Sequence, residues 1–279
     1  MNILVTGATG FIGQHVVELL IKRGHAVIAT SRSIGKAHSM PWFDYVKFIP
    51  CDLHDPELKI STIFGTPDVV IHLAWSDLPN YKSLSHFEVN LPAAYRFLKN
   101  IIIAGTKQLL VSGTCFEYGT QNGSLAEKMP TLPANPYGVA KDTLRKFLES
   151  LKTEHPFTLQ WVRLFYMYGS GQHRKSLMAQ LDRAIDNGDT TFKMSGGEQL
   201  RDYLPIKDVA KRICFLVENP SVNGIINCCS GKPVSVRSLV EQHIQKRGAE
   251  IKLSLGYYPY PDYEPMAFWG ECNQFLKNI

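Results

Sequence analysis

Ile3-Leu-Val-Thr-Gly7-Ala-Thr-Gly10-Phe-Ile-Gly13 is the stretch from which the rest of the chain can be read. Residues 3–5 are a short, continuous apolar run of the kind a buried strand uses, and 7–10 is turn chemistry. Residues 11–23 place Ile12, Val16, Leu19 and Leu20 on one helical face before Gly24 ends the helix. Within a strand-turn-helix unit the three glycines have separate tasks. Gly7 permits the tight turn, Gly10 lets backbone amides approach a pyrophosphate, and Gly13 allows the helix to lie close on the sheet. The start of the helix then offers unpaired N–H groups to an anion. A glycine triplet alone is also compatible with an ordinary turn; its place in this unit points to a dinucleotide. Contacts to it are expected from Gly7, Thr9, Gly10, Phe11, Ile12 and Gly13.

Further along, short apolar runs at 26–30, 46–49, 69–73 and 109–111 alternate with longer amphipathic stretches. A helix is expected over 83–104, ending at Gly105. Another starts near Tyr137, with Leu144, Phe147, Leu148 and Leu151 on its buried side, and leads into a strand over 158–165. The alternation predicts an α/β protein built on a doubly wound parallel sheet, a Rossmann fold. Its dinucleotide-binding domain is expected over 1–165. After 165 the regularity weakens, and 166–279 is expected to be mainly a smaller C-terminal substrate-binding lobe. Elements near 203–228 return to the sheet: a helix over 208–217 and a late strand over 225–227. A further helix is expected over 236–245.

The 279 residues are 44% hydrophobic and 20% charged, the mix of a packed globular protein. Thirty Lys and Arg against 25 Asp and Glu leave a net charge of only +5, and no basic run suggests a nucleic-acid or membrane partner. A pocket for a small anion fits better. The six cysteines show no C-x-x-C pair and no metal-ligand spacing, and adjacent Cys228 and Cys229 are poorly placed to bridge each other. Reduced thiols, no metal and a cytoplasmic location are therefore expected. No 18-residue apolar stretch or leader-like N-terminal region occurs, so export and membrane spanning are not expected.

The spacing G-x-x-G-x-x-G resembles that of the short-chain dehydrogenase/reductase superfamily. Cofactor choice should be made at the end of the second strand, in Ala29-Thr-Ser31-Arg32-Ser33, where no carboxylate is available to accept bonds from a free ribose 2′-hydroxyl. Arg32 can instead stack on adenine and bond a 2′-phosphate, which favours NADP(H); NAD(H) is the alternative if Arg32 is simply a solvated surface residue. Asp52-Leu53 resembles the family's contact to the adenine edge. His72-Leu73-Ala74 resembles its backbone wall along the cofactor.

Tyr137-Gly-Val-Ala-Lys141 is similar to the superfamily's second signature. Four residues apart on one helix, the two side chains share a face, and a nearby ammonium would draw the phenol's pKa toward neutrality. Aligning Tyr118-Gly119 with the same pair in the extended branch places Thr114 at the catalytic hydroxyl, where it would steady a developing alkoxide. Asn90 resembles the helix asparagine that supports the lysine, though a solvent-facing role is equally compatible with the sequence. Arg163-Leu-Phe-Tyr166-Met-Tyr-Gly-Ser-Gly-Gln172 looks like the branch's Arg-Tyr-Phe-Asn-x-Tyr-Gly-Pro-Gly-Gln segment, with Tyr166 replacing an asparagine that approaches the substrate. Arg201, in Gly196-Gly-Glu-Gln-Leu-Arg201-Asp-Tyr203, resembles the arginine that grips the nucleotide-sugar diphosphate. The other reading makes it a structural bridge to Asp202 or Asp208. The tail over 257–269 carries no basic residue where many members have a second phosphate-clamping arginine; its aromatics would stack on a ring of the ligand or pack as a hydrophobic lid.

The resemblance covers nearly the whole chain and implies the nucleotide-sugar-modifying branch, the NAD-dependent epimerase/dehydratase family. Dehydratases there carry Asp-Glu directly after the catalytic threonine, whereas Cys115 and Phe116 follow Thr114 here and cannot do that acid-base work. The expectation is therefore an oxidoreductase acting at C4 of a nucleoside-diphosphate sugar. It would reduce a 4-keto-6-deoxyhexose for surface polysaccharide assembly, as a homodimer. A 4-epimerase with retained NAD is the alternative, and a non-catalytic cofactor-sensing regulator is less well matched to an intact Thr114, Tyr137 and Lys141.

Overall fold

The computed structural model describes residues 1–260, 264–277 and 279; Pro261, Asp262 and Tyr263 of the aromatic tail lie outside the described residues. In chain order the first half runs β1 (Asn2–Thr6), α1 (Phe11–Lys22), β2 (Ala26–Ser31), α2 (Ile34–His38), β3 (Lys47–Pro50), α3 (Ile60–Phe64), β4 (Val69–His72), α4 (Leu91–Ile103), β5 (Gln108–Thr114), β6 (Gly123–Leu125), α5 (Pro136–Glu154) and β7 (Thr158–Leu164). There follow β8 (Tyr166–Tyr168), α6 (Leu177–Asp186), β9 (Thr191–Lys193), β10 (Leu200–Arg201), β11 (Tyr203–Pro205), α7 (Ile206–Glu218), β12 (Gly224–Cys228), β13 (Val234–Ser235), α8 (Val236–Arg247), β14 (Lys252–Ser254) and β15 (Phe268–Gly270).

Seven parallel strands form one sheet in the order β12-β7-β5-β4-β1-β2-β3. Alternate residues along a strand face opposite sides, and the sheet is covered accordingly. Ile3 and Val5 pack with Val16, Val17 and Leu20 of α1 and with Val209, Ile213 and Val217 of α7. Leu4 faces the other way, with Phe97 and Ile101 of α4 and Leu144 and Leu148 of α5. The late strand joins the sheet edge beside β7, as the apolar run at 225–227 predicts. A third, smaller core of Met178, Leu181, Phe192, Met194, Leu239 and Val240 holds α6, β9 and α8 together. All six cysteines carry free thiols.

One predicted helix is interrupted. Instead of a continuous helix over 83–104, a π-helical turn at His86–Asn90 precedes α4. Pro92 in the first turn of α4 has no N–H to return to the carbonyl four residues earlier, so the wider turn carries the chain across the gap. That turn buries His86 and Asn90.

The strand order reverses direction between β1 and β4, so a crevice opens where Gly7 leaves one strand and Leu73 leaves the other. Gly7 has φ +68°, and a Cβ on it would come within 2.8 Å of the Ala74 nitrogen. A Cβ on Gly13 would stand 2.2 Å from the Gly7 carbonyl oxygen, so α1 can lie against the turn only with glycine there.

Candidate active site

Two cavities meet at this crevice. One, of about 400 Å³, runs along the strand ends and is lined by Gly7, Thr9, Gly10, Ser31, Arg32, Asp52, Leu53, Leu73, Ala74 and Asn90 among others. The other, of about 590 Å³, is lined by Phe11, Ile12, Gly13, Thr114, Tyr137, Lys141, Tyr166, Gln172, Tyr203 and Glu264 among others. Gly7, Gly10, Leu73 and Trp75 line both. With the exception of Arg201, every residue that the sequence singles out for the site borders one of the two spaces.

The groove has the features a dinucleotide needs. No side chain caps α1 at Gly10, so its first N–H groups remain available to an anion. Two residues lining the groove hold buried polar atoms without a hydrogen-bond partner, Ser31 Oγ and His72 Nε2. His72 is kept neutral, its pKa pushed down to about 3 by burial and by the positive charge of Lys141. Its Nδ1 lies 3.0 Å from Thr6 Oγ1. Asn90 does not reach Lys141 through any bond the structure records. It clamps Ser76 instead, accepting from the hydroxyl at 2.6 Å and donating to the carbonyl oxygen at 3.2 Å, and so braces the wall that follows β4.

Thr114 ends β5 and starts a 3₁₀ turn at Cys115–Tyr118. Its side chain accepts from Phe116 N at 3.2 Å, while the Glu117 carboxylate accepts from Thr114 N at 2.8 Å. This reciprocal capping box fixes the hydroxyl's position. Glu117 is fully buried and also accepts from Arg163 Nε at 2.7 Å and Trp161 Nε1 at 2.9 Å. Glu117 is a residue the sequence reading missed, although Thr114-x-x-Glu117 is a pattern that could have revealed it. Trp75 was missed too, one residue beyond the quoted His72-Leu-Ala74. Its indole donates to His86 Nδ1 at 3.1 Å, and its ring lies 3.9 Å from Lys141 Nζ.

Tyr137 lies in the first turn of α5, whose N-cap Asn135 accepts from Gly138 N at 2.8 Å. The phenol lines the same cavity as Thr114, whose side chain acts to lower its pKa. Its acidity is not what the Tyr-Lys spacing predicts. Burial, followed by the neighbouring Tyr81, raises the phenol well above its ordinary value. Lys141 is itself buried, lowered to about 7, and donates to Ser112 O at 2.9 Å beneath the Trp75 ring.

Arg201 bridges to neither expected acid. Asp202 accepts from Ser230 N at 2.6 Å and Gly231 N at 2.8 Å, and Asp208 pairs with Lys211 at 2.7 Å. Arg201 instead pairs with Glu264 at 2.9 Å, over the face of Phe268. The tail contributes this carboxylate; among its described aromatics, Tyr257 and Tyr258 are exposed and Phe268 is buried in β15.

The family model of the NAD dependent epimerase/dehydratase family matches residues 3–229. The chain belongs to that family. It is an enzyme of the short-chain dehydrogenase/reductase kind, as its glycine turn and Tyr-x-x-x-Lys motif predict. Among curated relatives, the family includes a dTDP-6-deoxy-L-talose 4-dehydrogenase (NAD(+)) of Aggregatibacter actinomycetemcomitans. That protein is 33% identical over 271 residues, covering 97% of this chain and 99% of its own length. A UDP-glucose 4-epimerase of Halalkalibacterium halodurans is 28% identical, covering 90% of this chain and 82% of its own length. Of the solved structures, a UDP-N-acetylglucosamine 4-epimerase from Methanobrevibacter ruminantium shares the fold with a TM-score of 0.88 at 24% identity. There, 99% of this chain covers 91% of that one. No described helix is long and apolar enough to cross a membrane.

Proposed function

We propose that the protein is a nucleotide-sugar oxidoreductase that reduces the 4-keto group of a nucleoside-diphosphate 6-deoxyhexose, using NADP(H). The carrying observation is that Thr114, Tyr137 and Lys141 line one cavity and that this cavity meets the glycine-lined groove. The uncharged Cys115 and Phe116 beside Thr114 argue against dehydration, and the 4-dehydrogenase among the relatives acts on a 6-deoxy sugar nucleotide by its name. NADP(H) is favoured because Arg32 and Lys36 border the far end of the groove and no carboxylate ends β2. Ser31, with its unpartnered hydroxyl, the amides of the Gly7–Gly10 turn and the wall at Leu73 and Ala74 would hold the cofactor, and Lys141 would reach its ribose.

The nicotinamide supplies the hydride when bound. The chain's own part is to manage the oxygen. Thr114, fixed by its capping box, orients the sugar carbonyl, and Tyr137 donates its proton to the oxygen as that oxygen becomes a hydroxyl. Glu117, Arg163 and Trp161 keep Thr114 in place from behind.

The test is a panel of 4-keto nucleotide sugars with NADPH and NADH, followed by absorbance. Stoichiometric loss of reduced cofactor is expected, and Tyr137→Phe should lower turnover by at least about 10²-fold with cofactor affinity unchanged. Sugar interconversion without net cofactor loss would make the protein a 4-epimerase, and no turnover with tight cofactor binding would make it a regulator.

A further inference from the structure

We propose that Glu264 reads the sugar: held by Tyr166 and Arg201, its carboxylate accepts a hydrogen bond from a hydroxyl of an uncharged sugar and turns away sugars that carry a carboxylate. This rests on the nucleotide-sugar reading above. The residue lies beyond the 3–229 segment that the family model matches, yet it lines the same cavity as Thr114 and Tyr137.

Its surroundings settle which group faces the ligand. Tyr166 donates to Glu264 Oε1 at 2.5 Å and Arg201 Nη2 donates to Oε2 at 2.9 Å. Nη1 is occupied too: it donates to Leu200 O at 2.9 Å and to Met266 O at 3.2 Å, and the guanidinium carbon lies 4.5 Å from the centre of the Phe268 ring. Arg201 is 3% exposed and is not among the described residues lining the cavity. The cation thus sits behind the carboxylate, as a positioning residue, and the carboxylate faces the space.

A carboxylate has about four acceptor sites and no donor. With two occupied, the free ones can take only a donor such as a sugar hydroxyl; a phosphate or a uronate brings acceptors and a like charge. The half-buried rings of Tyr166 and Tyr203, 5.3 Å apart, cover part of the site, so water screens it less than it would an exposed carboxylate, and both the attraction and the repulsion are strengthened. Tyr166 occupies the position where the branch's usual motif has an asparagine, and a phenol reaches farther than that amide, which lets it fix a carboxylate delivered from the tail.

Calorimetric titration of the full chain with dTDP-glucose, dTDP-glucuronic acid and dTDP, and with the UDP series, tests this. Glu264→Gln should weaken glucose-nucleotide binding about 10- to 100-fold, tighten glucuronate-nucleotide binding about 10-fold or more, and leave the bare nucleotide unchanged. In turnover, KM should move and kcat much less. Unchanged sugar affinities would make the Glu264–Arg201 pair purely structural and overturn the proposal. Tighter binding of both glucose nucleotide and bare nucleotide would also overturn it, since Glu264 would then be shielding Arg201 from the diphosphate. If Glu264→Gln does not fold, Tyr166→Phe, which keeps the ion pair, should lower the preference for glucose over glucuronate nucleotide about 3- to 10-fold; an unchanged preference overturns the proposal. A wild-type protein that binds no nucleotide sugar sinks the functional reading itself.

Discussion

The groove beneath the glycine turn and the wall opposite Tyr137 are made of different materials. In the groove the decisive surfaces are backbone: Gly7 at φ +68°, Gly13 against the Gly7 carbonyl, and uncapped N–H groups at the start of α1. The wall is built from side chains that meet from distant parts of the chain, Tyr166 and Arg201 joining Glu264 across 98 and 63 residues. A backbone surface is specified by neighbours in sequence and tolerates almost no substitution. A side-chain cluster is specified by the fold and can be rewritten piece by piece, which is how a shared cofactor half can serve different substrates.

The largest effect should come from breaking the backbone half. Gly13→Val places a branched Cβ where even a methyl would stand 2.2 Å from the Gly7 oxygen and 2.8 Å from Ala8 Cα, both backbone atoms that cannot step aside. Overpacking of this kind costs about 3 kcal/mol, occasionally more. Thermal unfolding should show a lower Tm, and titration should show loss of cofactor binding. A variant that kept both would mean the helix can pivot away from the sheet, and the contrast between the two halves would fail.

That contrast also accounts for what could be read in advance. The sheet, its helices and the groove follow from local patterns: apolar runs at strand length, one-faced helices and glycines at fixed spacing. Tyr137, Lys141 and Thr114 lie in short motifs on single elements, and the structure brings all three to one cavity. Glu264 carries no local mark, because nothing in Tyr-Glu-Pro-Met announces a partner near residue 201. The sequence neighbours Asp202 and Asp208 were nearer candidates for Arg201, but the former caps the Ser230–Gly231 turn and the latter pairs within its own helix. The raised pKa of Tyr137 in the free protein has a related cause. Spacing shows that a cation is close but not that both groups are desolvated.

Lys141, where the two halves meet, gives a second and smaller effect. Burial lowers its pKa from 10.5 to about 7, partly offset by Glu117. As pH falls from 10.5 toward 7 the unfolded chain takes up a proton that the folded one resists, so stability is lost over that window. The loss is complete below about pH 7. Lys141→Met should therefore abolish turnover yet raise stability at pH 7 by about 2–4 kcal/mol, with the gain fading as pH rises toward 10.5. Unfolding measured at pH 7 and pH 10 checks it; a gain that does not shrink with pH would show that packing, not charge burial, is responsible.

The smallest effect is expected where the cofactor half depends on exposed side chains. Arg32 is exposed at the rim of the groove, with Lys36 nearby. A solvated guanidinium pairs with a phosphate at a gain of about 1 kcal/mol, much of it screened by salt. Arg32→Ala should reduce the preference for NADPH over NADH about 3- to 10-fold at low ionic strength, and less at about 0.5 M salt, with binding of NADH itself unchanged. Competitive titration of the two cofactors measures this directly. If the preference survives the substitution, discrimination is built into the buried Ser31 end of β2 rather than the rim. The groove would then be specified by local backbone along its whole length, and the division between its two kinds of wall would be sharper still.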